Sequence, residues 1–250
     1  MITIRRAADR GIADFGWLKS YHSFSFGDYF DPHQMGFSTL RVINDDTFVT
    51  GSGFPTHSHR DMEIITFVLG GSVAHKDSTG SSGQTGPGEI QVMTAGSGIS
   101  HSEFAVGSSN CEMLQIWIKP SANSLQPSYR QIHWQKAIDN GLLEPFGGNI
   151  SDSPKGLHLL CSASGRNGSI SLNADADLYY GTVSGELSLR LSSHRSWYLQ
   201  GLDGSFRYQT DDSSGEGSLR DALGIRWNKS APGELTLSGQ ASFLLFDLPM

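Results

Sequence analysis

The amino-acid sequence predicts an all-β protein built from two consecutive β-barrels. Its 250 residues include 30 glycines, and these lie among many Ser, Thr and Asp residues, which favour turns over long helices. Between the turn residues, short runs of β-branched and aromatic residues recur along the whole chain, each with the length of a strand. Because both halves of the chain have this style, we expect two domains of similar architecture.

The first half contains four apolar runs of strand length: Phe37–Ile43, Glu63–Leu69, Glu89–Met93 and Met113–Ile118. Gly70-Gly71 directly follows the second run and suits a tight hairpin. The segment Lys76–Gly88 is rich in Ser and Gly and therefore predicts a loop or a wide turn. Together these features predict an N-terminal barrel over residues 1–130.

A connecting segment is expected at residues 131–155, where the sequence is richer in Pro, Asn and Gln and allows one short helix near His133–Asn140. Strand-like runs then resume and predict a C-terminal barrel over residues 156–250. The runs are Leu157–Cys161, Ser169–Leu172, Leu178–Val183, Glu186–Leu191, Trp197–Gln200, Ser205–Tyr208 and Ala241–Asp247.

Composition excludes several classes of function. The formal net charge is −7 and the 18 basic residues are scattered, so no basic cluster predicts direct binding to nucleic acid. No apolar run is long enough to span a membrane, and the first residues lack the apolar stretch of a secretory signal. The two cysteines, Cys111 and Cys161, have neither metal-binding nor disulfide-framework spacing. We therefore expect a cytoplasmic protein with two free thiols.

Two pairs of residues have the pattern of metal ligands. His57 and His59 precede an apolar run, and His101 and Glu103 follow a glycine-rich turn. Because residues i and i+2 of a strand face the same side, each pair can point into the barrel from its own strand. Three imidazoles and one carboxylate suit one divalent transition metal, whether Fe(II), Mn, Ni, Cu or Zn, and leave open coordination positions. A structural zinc site would more often use cysteines.

Other titratable residues offer alternatives to this ligand set. Glu63 shares strand parity with His57 and His59 and, like Asp61, can also point inward. We favour Glu103 as the ligand and expect Glu63 to orient a metal-binding histidine through a hydrogen bond to its other ring nitrogen. The six remaining histidines are expected to be ordinary hydrogen-bonding groups: His22, His33, His75, His133, His158 and His194.

The segment around these ligands resembles the cupin superfamily. Gly51-x5-His57-x-His59-x3-Glu63-x6-Gly70 matches the first cupin motif at every spacing. The second motif is only approximate, because Thr94 stands where the pattern has Pro and four residues rather than two separate Gly96 from His101.

Within the cupins, the first 120 or so residues resemble the pirin family of bicupins. The resemblance rests on Arg10-Gly11, Trp17–Ser20, His22–Phe26, Tyr29–Pro32, Leu40–Asp46 and Ala95–Glu103, and it ends in Leu244–Pro249. It implies two cupin domains, with one metal ion in the N-terminal domain on His57, His59, His101 and Glu103. Fe(II) is the ion we expect first, and the C-terminal domain is expected to lack metal ligands.

The resemblance also implies an activity, because several pirins are quercetin 2,3-dioxygenases that open a flavonol with O2 and release carbon monoxide. In that function Glu103 would be both ligand and general base for the substrate hydroxyl. The alternating aromatic residues Phe24 and Phe26 could wall the pocket, although such a stripe more often belongs to the core of a protein. Eukaryotic relatives imply an alternative, a metal-binding, redox-sensitive regulator that acts through a protein partner. A cupin isomerase would need a basic residue beside the metal, and the parity of Arg60 points it away.

Overall fold

The computed structural model describes residues 1–141, 157–227 and 231–250, and these are almost entirely β-structure. The predicted all-β class is confirmed. The chain divides into two compact units. The N-terminal unit comprises Arg10–Asn140 and Ile170–Ala174, and the C-terminal unit comprises Met1–Asp9, the described part of Gly141–Ser169, and Asp175–Met250. The first strand, β1 (Ile2–Arg5), therefore belongs to the C-terminal unit.

Two antiparallel sheets make up most of the N-terminal unit. Its strands up to residue 132 are β2 (Gly11–Asp14), β3 (Leu18–His22), β4 (Leu40–Phe48), β5 (Gly53–His59), β6 (Glu63–Gly70), β7 (Val73–Asp77), β8 (Ser82–Thr85), β9 (Ile90–Thr94), β10 (Ile99–Ala105), β11 (Cys111–Ile118) and β12 (Ser128–Ile132). The larger sheet has the order β12-β9-β6-β11-β4-β3-β2, and the smaller sheet has the order β5-β10-β7-β8.

The turn at Gly70-Gly71 corrects the predicted hairpin. β6 pairs with β9 and β11 in the larger sheet, whereas β7 pairs with β10 and β8 in the smaller one. The turn therefore carries the chain from one sheet to the other. Gly71 has φ +65°, and a Cβ atom there would lie 2.1 Å from the carbonyl oxygen of Asn110, so only glycine fits this corner without strain.

The predicted loop Lys76–Gly88 is wrong in part. β7 continues to Asp77, and Ser82–Thr85 forms β8 at the edge of the smaller sheet. This strand contains a glycine and no long apolar residue, so its pairing with β7 comes from the backbone rather than from an apolar pattern.

The predicted short helix is confirmed as α1 (Trp134–Asp139), which begins after His133, whose Nδ1 accepts a hydrogen bond from the backbone N–H of Lys136 at 3.3 Å. The rest of the predicted connecting segment, from residue 142 to residue 155, lies outside the described residues. Two short 3₁₀ turns cover Ala7–Asp9 and Arg166–Gly168. None of the helices in the described part of the chain has the length and apolar character needed to span a membrane.

The C-terminal unit is an antiparallel sheet of long strands around an apolar core. Its strands besides β1 are β13 (Leu157–Ser162), β15 (Asp177–Leu191), β16 (Ser196–Gln209), β17 (Ser214–Ser218), β18 (Ala222–Arg226) and β19 (Gly233–Leu248), while β14 (Ile170–Ser171) lies in the segment that joins the N-terminal unit. The order is β1-β18-β16-β19-β15-β13, with β17 paired to β16. Its buried cluster is formed entirely by aliphatic and aromatic side chains.

Two features of this unit differ from the sequence prediction. Four predicted runs merge into the two long strands β15 and β16. In β15, Gly185 lies opposite Gly239, and in β16, Gly204 follows a register shift between Gly201 and Asp203. All of Gly185, Gly204 and Gly239 have positive φ, which lets the strands bend without ending. The N-terminal barrel predicted over residues 1–130 also differs from the structure at its start. Met1–Asp9 belongs to the C-terminal unit, where β1 pairs with β18 and Ile2 lies opposite Ile225.

Candidate metal centre

The adjacent strands β5 and β10 position the predicted histidines. His101 on β10 lies directly opposite His57 on β5. Between His101 and Glu103 the register shifts, so that Glu103 lies opposite Phe54 and β5 holds one extra residue. β5 is an edge strand, which allows Pro55 within it without loss of a ladder hydrogen bond.

Three histidines converge on one point. The ring centroids of His57 and His101 are 4.4 Å apart, those of His57 and His59 4.7 Å, and those of His59 and His101 4.9 Å. One nitrogen of each ring lies within 4.8 Å of the others. An ion about 2.0–2.1 Å from each nitrogen would need separations of at most roughly 4.2 Å, so small side-chain rotations bring all three into coordination range.

Two nitrogens of this cluster are available to an ion. His101 Nε2 is buried and has no hydrogen-bond partner among the described residues, which is costly unless a ligand satisfies it. His57 uses Nδ1 to contact the carbonyl oxygen of Pro55 at 2.9 Å, and its Nε2 therefore remains for coordination. The donor set thus fits a transition metal.

The electrostatics of the cluster favour uncharged imidazoles. Burial, with the neighbouring His57, lowers the pKa of His59 to about 4. Burial, with His57, His59 and His75, lowers the pKa of His101 to about 3. Neutral imidazole is the form that binds a metal, so these two ligands need not lose a proton at neutral pH.

Glu103 lies behind the histidine cluster. A carboxylate oxygen of Glu103 and one nitrogen each of His101 and His75 lie within 4.8 Å of one another, whereas Glu103 is not part of the group formed by His57, His59 and His101. Its two oxygens accept hydrogen bonds from Gln91 Nε2 at 3.2 Å and Gln115 Nε2 at 3.0 Å. Burial, with the negative Asp46 nearby, raises the pKa of Glu103 to about 7. Only a shift of the side chain, or of the three rings, would place Glu103 on the same ion.

Glu63 does not orient a histidine, contrary to the expectation. Its Oε2 accepts hydrogen bonds from Thr94 Oγ1 at 3.1 Å and from the backbone N–H of Asn173 at 3.2 Å. The neighbouring Ile64 lines the cavity described below, and alternation along β6 turns Glu63 to the opposite face. The strand parity shared with His57 has no meaning here, because the chain turns at Asp61, with φ +50°, and enters the other sheet.

Asp61 is also directed away from the cluster. Its Oδ1 accepts a hydrogen bond from the backbone N–H of Ser124 at 2.6 Å. Neither carboxylate of this turn is among the groups that lie close enough to hold an ion in the described part of the chain.

A cavity of about 530 Å³ opens beside the histidines, within the N-terminal unit. His57, His59 and Glu103 line it together with apolar side chains, among them Phe54 and Trp117. The Trp117 ring meets the His59 ring edge-on, with centroids 5.0 Å apart. The volume is that of a typical small-molecule site.

The two alternatives left open for Phe24 and Phe26, pocket wall and core, each hold for one of the two residues. Phe26 lines the cavity and packs edge-on against Trp117, with centroids 5.4 Å apart. Phe24 is 3% exposed and belongs to the core. The predicted strand through both residues ends at His22, so their common parity does not hold.

The cavity also contains polar groups that the sequence did not single out. Asn44 and Asp46 face it from β4, and Gln115, opposite Asn44, faces it from β11. Asp46 is buried, and Oδ1 of its carboxyl has no hydrogen-bond partner among the described residues. His22, expected to be an ordinary hydrogen-bonding group, contacts Asn44 Oδ1 through Nδ1 at 2.8 Å and also lines the cavity.

The comparisons with known proteins agree with this architecture. The family model Pirin matches residues 4–118, and the model of the quercetinase C-terminal cupin domain matches residues 159–248. The chain is 38% identical to a quercetin 2,3-dioxygenase of Escherichia coli K12, over all of this chain and 99% of that protein. A pirin-like protein of Caulobacter vibrioides is 41% identical over 61% of this chain and 66% of its own length. The crystal structure of the bacterial pirin YhhW from Escherichia coli in complex with nickel(II) has a TM-score of 0.85 and 36% identity, covering 100% of this chain and 99% of that one. This chain therefore belongs to the pirin family, with two consecutive cupin domains.

Proposed function

We propose that this protein is a metal-dependent dioxygenase that opens a flavonol such as quercetin with O2 and releases carbon monoxide. The observation that carries the proposal is the cluster of His57, His59 and His101, of which the first two line a cavity large enough for a flavonol. His101 contributes a buried nitrogen that has no partner among the described residues. The full-length relative named quercetin 2,3-dioxygenase supports the choice of reaction.

The N-terminal cupin holds one divalent transition metal on the three histidines, with Glu103 as the fourth ligand. Fe(II) is our first choice because an N/O ligand set with open positions suits it, and the nickel(II) complex of the Escherichia coli relative makes Ni the next candidate. Mn, Cu and Zn suit the same donors. When bound, the ion supplies Lewis acidity for the flavonol 3-hydroxyl and the redox chemistry that O2 requires.

Glu103 is the general base for the substrate. Its carboxyl lines the cavity, so when it loosens from the ion it can accept the proton of a phenolic hydroxyl. Gln91 and Gln115 hold the two oxygens in place through their amide groups, which fixes the carboxylate towards the reacting hydroxyl.

The cavity matches a polyhydroxylated aromatic substrate. Apolar side chains such as Phe26 and Trp117 can face the flat rings. Asn44 can form hydrogen bonds with hydroxyl groups, and so can Asp46 Oδ1, which has no partner among the described residues. A buried polar atom without a partner favours a ligand that supplies one. We therefore assign Asp46 to the binding of a substrate hydroxyl.

Oxygen consumption tests this function. Metal-free protein is loaded separately with Fe(II), Mn, Ni, Cu and Zn, and O2 uptake and carbon monoxide release are measured with quercetin and with a flavone that lacks the 3-hydroxyl. We expect one O2 consumed and one CO released per quercetin with at least one metal, and no uptake with the flavone. His101→Ala should abolish uptake, and His33→Ala, at an exposed histidine, should not. Absence of uptake with all five metals would refute the proposal.

Nothing in the described residues favours the regulatory alternative, in which a protein partner reads the oxidation state of the ion. The cytoplasmic location expected from the sequence stays a prediction. Both cysteines are buried thiols in the described part of the chain.

A further inference from the structure

A second histidine stands directly behind His101. His75, on β7, lies 3.3 Å from His101, measured between the two Nδ1 atoms. On its far side, His75 Nε2 lies 3.0 Å from Asp77 Oδ2. All three residues are buried, and the neighbouring strands β7 and β10 fix their relative positions, with Asp77 opposite His101 and His75 opposite Glu103.

Contacts on both sides hold Asp77 and His75 in place. Asp77 Oδ1 accepts three hydrogen bonds, from the backbone N–H groups of Thr79 and Ser81 and from the Thr79 hydroxyl. The His75 ring is stacked on Tyr129, with centroids 4.5 Å apart and an interplanar angle of 20°. Neither the carboxylate nor the ring can rotate without losing these contacts.

With Asp77 ionised and both imidazoles neutral, the two contacts of His75 allow one arrangement of the protons. An ionised carboxylate only accepts hydrogen bonds, so His75 Nε2 carries the proton that is donated to Asp77. In a neutral imidazole the other nitrogen then carries the lone pair, and His75 Nδ1 must accept a proton donated by His101 Nδ1. His101 Nε2 is left with a lone pair, at the atom that is buried and without a partner among the described residues.

We propose that His75 and Asp77 are positioning residues that fix the tautomer and ring orientation of His101, so that its Nε2 lone pair faces the metal. This inference rests on the proposed metal centre. The same role is familiar for carboxylates that orient metal-bound histidines directly; here a second imidazole is inserted between carboxylate and ligand.

Asp77→Asn gives the sharpest test, because it changes no proposed ligand. The backbone N–H groups of Thr79 and Ser81 should retain the carbonyl oxygen of the new amide, which places its NH2 group against His75 Nε2. That donor reverses the proton positions in both rings and leaves a proton on His101 Nε2. We expect the affinity for Ni(II), measured by competition with a chelator, to fall by about 10–100-fold.

Two further variants separate this effect from loss of structure. His75→Asn places an amide oxygen near the position of His75 Nδ1, can accept the proton of His101, and should bind Ni(II) within about threefold of the unaltered protein, whereas His75→Phe should show the full loss. Lys76→Gln, on the exposed face of the same strand, is the matched control and should bind as the unaltered protein does. Equal affinity of the unaltered protein, Asp77→Asn and His75→Phe would overturn the inference.

A second measurement does not depend on metal binding or turnover. Long-range ¹H–¹⁵N spectra of the metal-free protein report which nitrogen of each histidine is protonated. We expect Nδ1–H on His101 with Nε2–H on His75, and the reverse in Asp77→Asn. A proton on His101 Nε2 in the unaltered protein would overturn the inference, even if quercetin is consumed; the expected tautomers would uphold it, even if quercetin is not.

Discussion

Gly53 should be essential for the geometry of the metal centre. It lies where β5 passes β10, and a Cβ atom added there would be 2.0 Å from the carbonyl oxygen of Glu103 and 2.5 Å from Cα of Phe104. Real Cβ atoms stay beyond 3.0 Å, and both neighbours are backbone atoms that no side-chain rotation can move. Gly53→Ala must therefore separate the two strands by about 1 Å at the position of Glu103.

This displacement acts on the same two strands that carry the proposed ligands. The adjacent backbone hydrogen bonds between Ser52 and Ala105, at 2.8 Å, and between Gly51 and Ala105, at 2.9 Å, would lengthen or break. We expect a loss of about 1–3 kcal/mol in the free energy of unfolding, typical of overpacking. A displacement of about 1 Å at a reacting group costs on the order of 100-fold in rate, so we expect quercetin turnover to fall by about that factor.

The assay compares Gly53→Ala with Gly70→Ala, measuring Ni(II) affinity, oxygen uptake with quercetin and urea unfolding. Gly70 is the matched control because an added Cβ would meet its nearest neighbour, Glu112, at an ordinary 3.8 Å. If Gly53→Ala kept affinity and turnover within about twofold of Gly70→Ala, the argument that close strand approach sets the site geometry would be refuted.

Three further changes test single residues. Glu103→Gln keeps the shape of the side chain but removes the base, so kcat for quercetin should fall by about 10²–10⁴-fold while the three histidines still retain measurable metal; an unchanged kcat would exclude the assigned role. Asp46→Asn should stabilise the metal-free protein at pH 8, by up to about 4 kcal/mol at ~1.4 kcal/mol per pKa unit, because burial raises the pKa of Asp46 to about 7. A raised pKa means that native stability is lost between about pH 4 and pH 7, so urea titrations of the two proteins should converge below pH 4 and a constant difference would contradict this origin. Asp221→Asn should destabilise the C-terminal unit by about 1–2 kcal/mol at neutral pH. Burial alone would raise the pKa of Asp221, but hydrogen bonds from the backbone of Ala7 and from Arg6 lower it. The ionised carboxylate therefore stabilises the unit at neutral pH, and the difference between the two proteins should disappear when urea unfolding is measured at acid pH.

Local patterns in the sequence were sufficient to find the histidine cluster. His57 and His59 share a face because they lie two apart on one strand, and the same holds for His101 and Glu103. Strand alternation depends only on neighbouring residues, which a sequence displays directly. The meeting of His101 with His57 depends on pairing between β10 and β5, which the spacing within each strand does not indicate and only the family resemblance implied.

Parity failed wherever the chain changed sheets. Glu63 is an even number of residues from His59, but the turn at Asp61 moves the chain from the smaller sheet to the larger one, where Glu63 begins a new strand. Alternation therefore starts again, and the carboxylate points to Thr94 and Asn173. A sequence pattern cannot indicate the phase of a new strand relative to the previous one, because that phase depends on the conformation of the turn.

His75 was missed for a related reason. The sequence His75-Lys76-Asp77 has the same i, i+2 spacing as the ligand pairs, but it runs into the Ser/Gly-rich stretch that predicted a loop. His75 lies beside His101 because β7 pairs with β10, and these two strands are distant in sequence. The spacing alone was a signal, and it would have acquired meaning only with the knowledge that β7 and β10 are neighbours.

The two units differ in the polarity of the side chains buried at their centres. Both groups of potential ligands found among the described residues lie in the N-terminal unit, where buried polar side chains such as Gln91, Gln115 and Thr66 form a hydrogen-bonded layer around Glu103. That layer makes the buried carboxylate of Glu103 tolerable, because both of its oxygens accept hydrogen bonds. The buried cluster of the C-terminal unit consists of aliphatic and aromatic side chains such as Leu199, Phe243 and Leu245. A single histidine pair introduced there would lack such partners and would destabilise the unit before it could bind an ion.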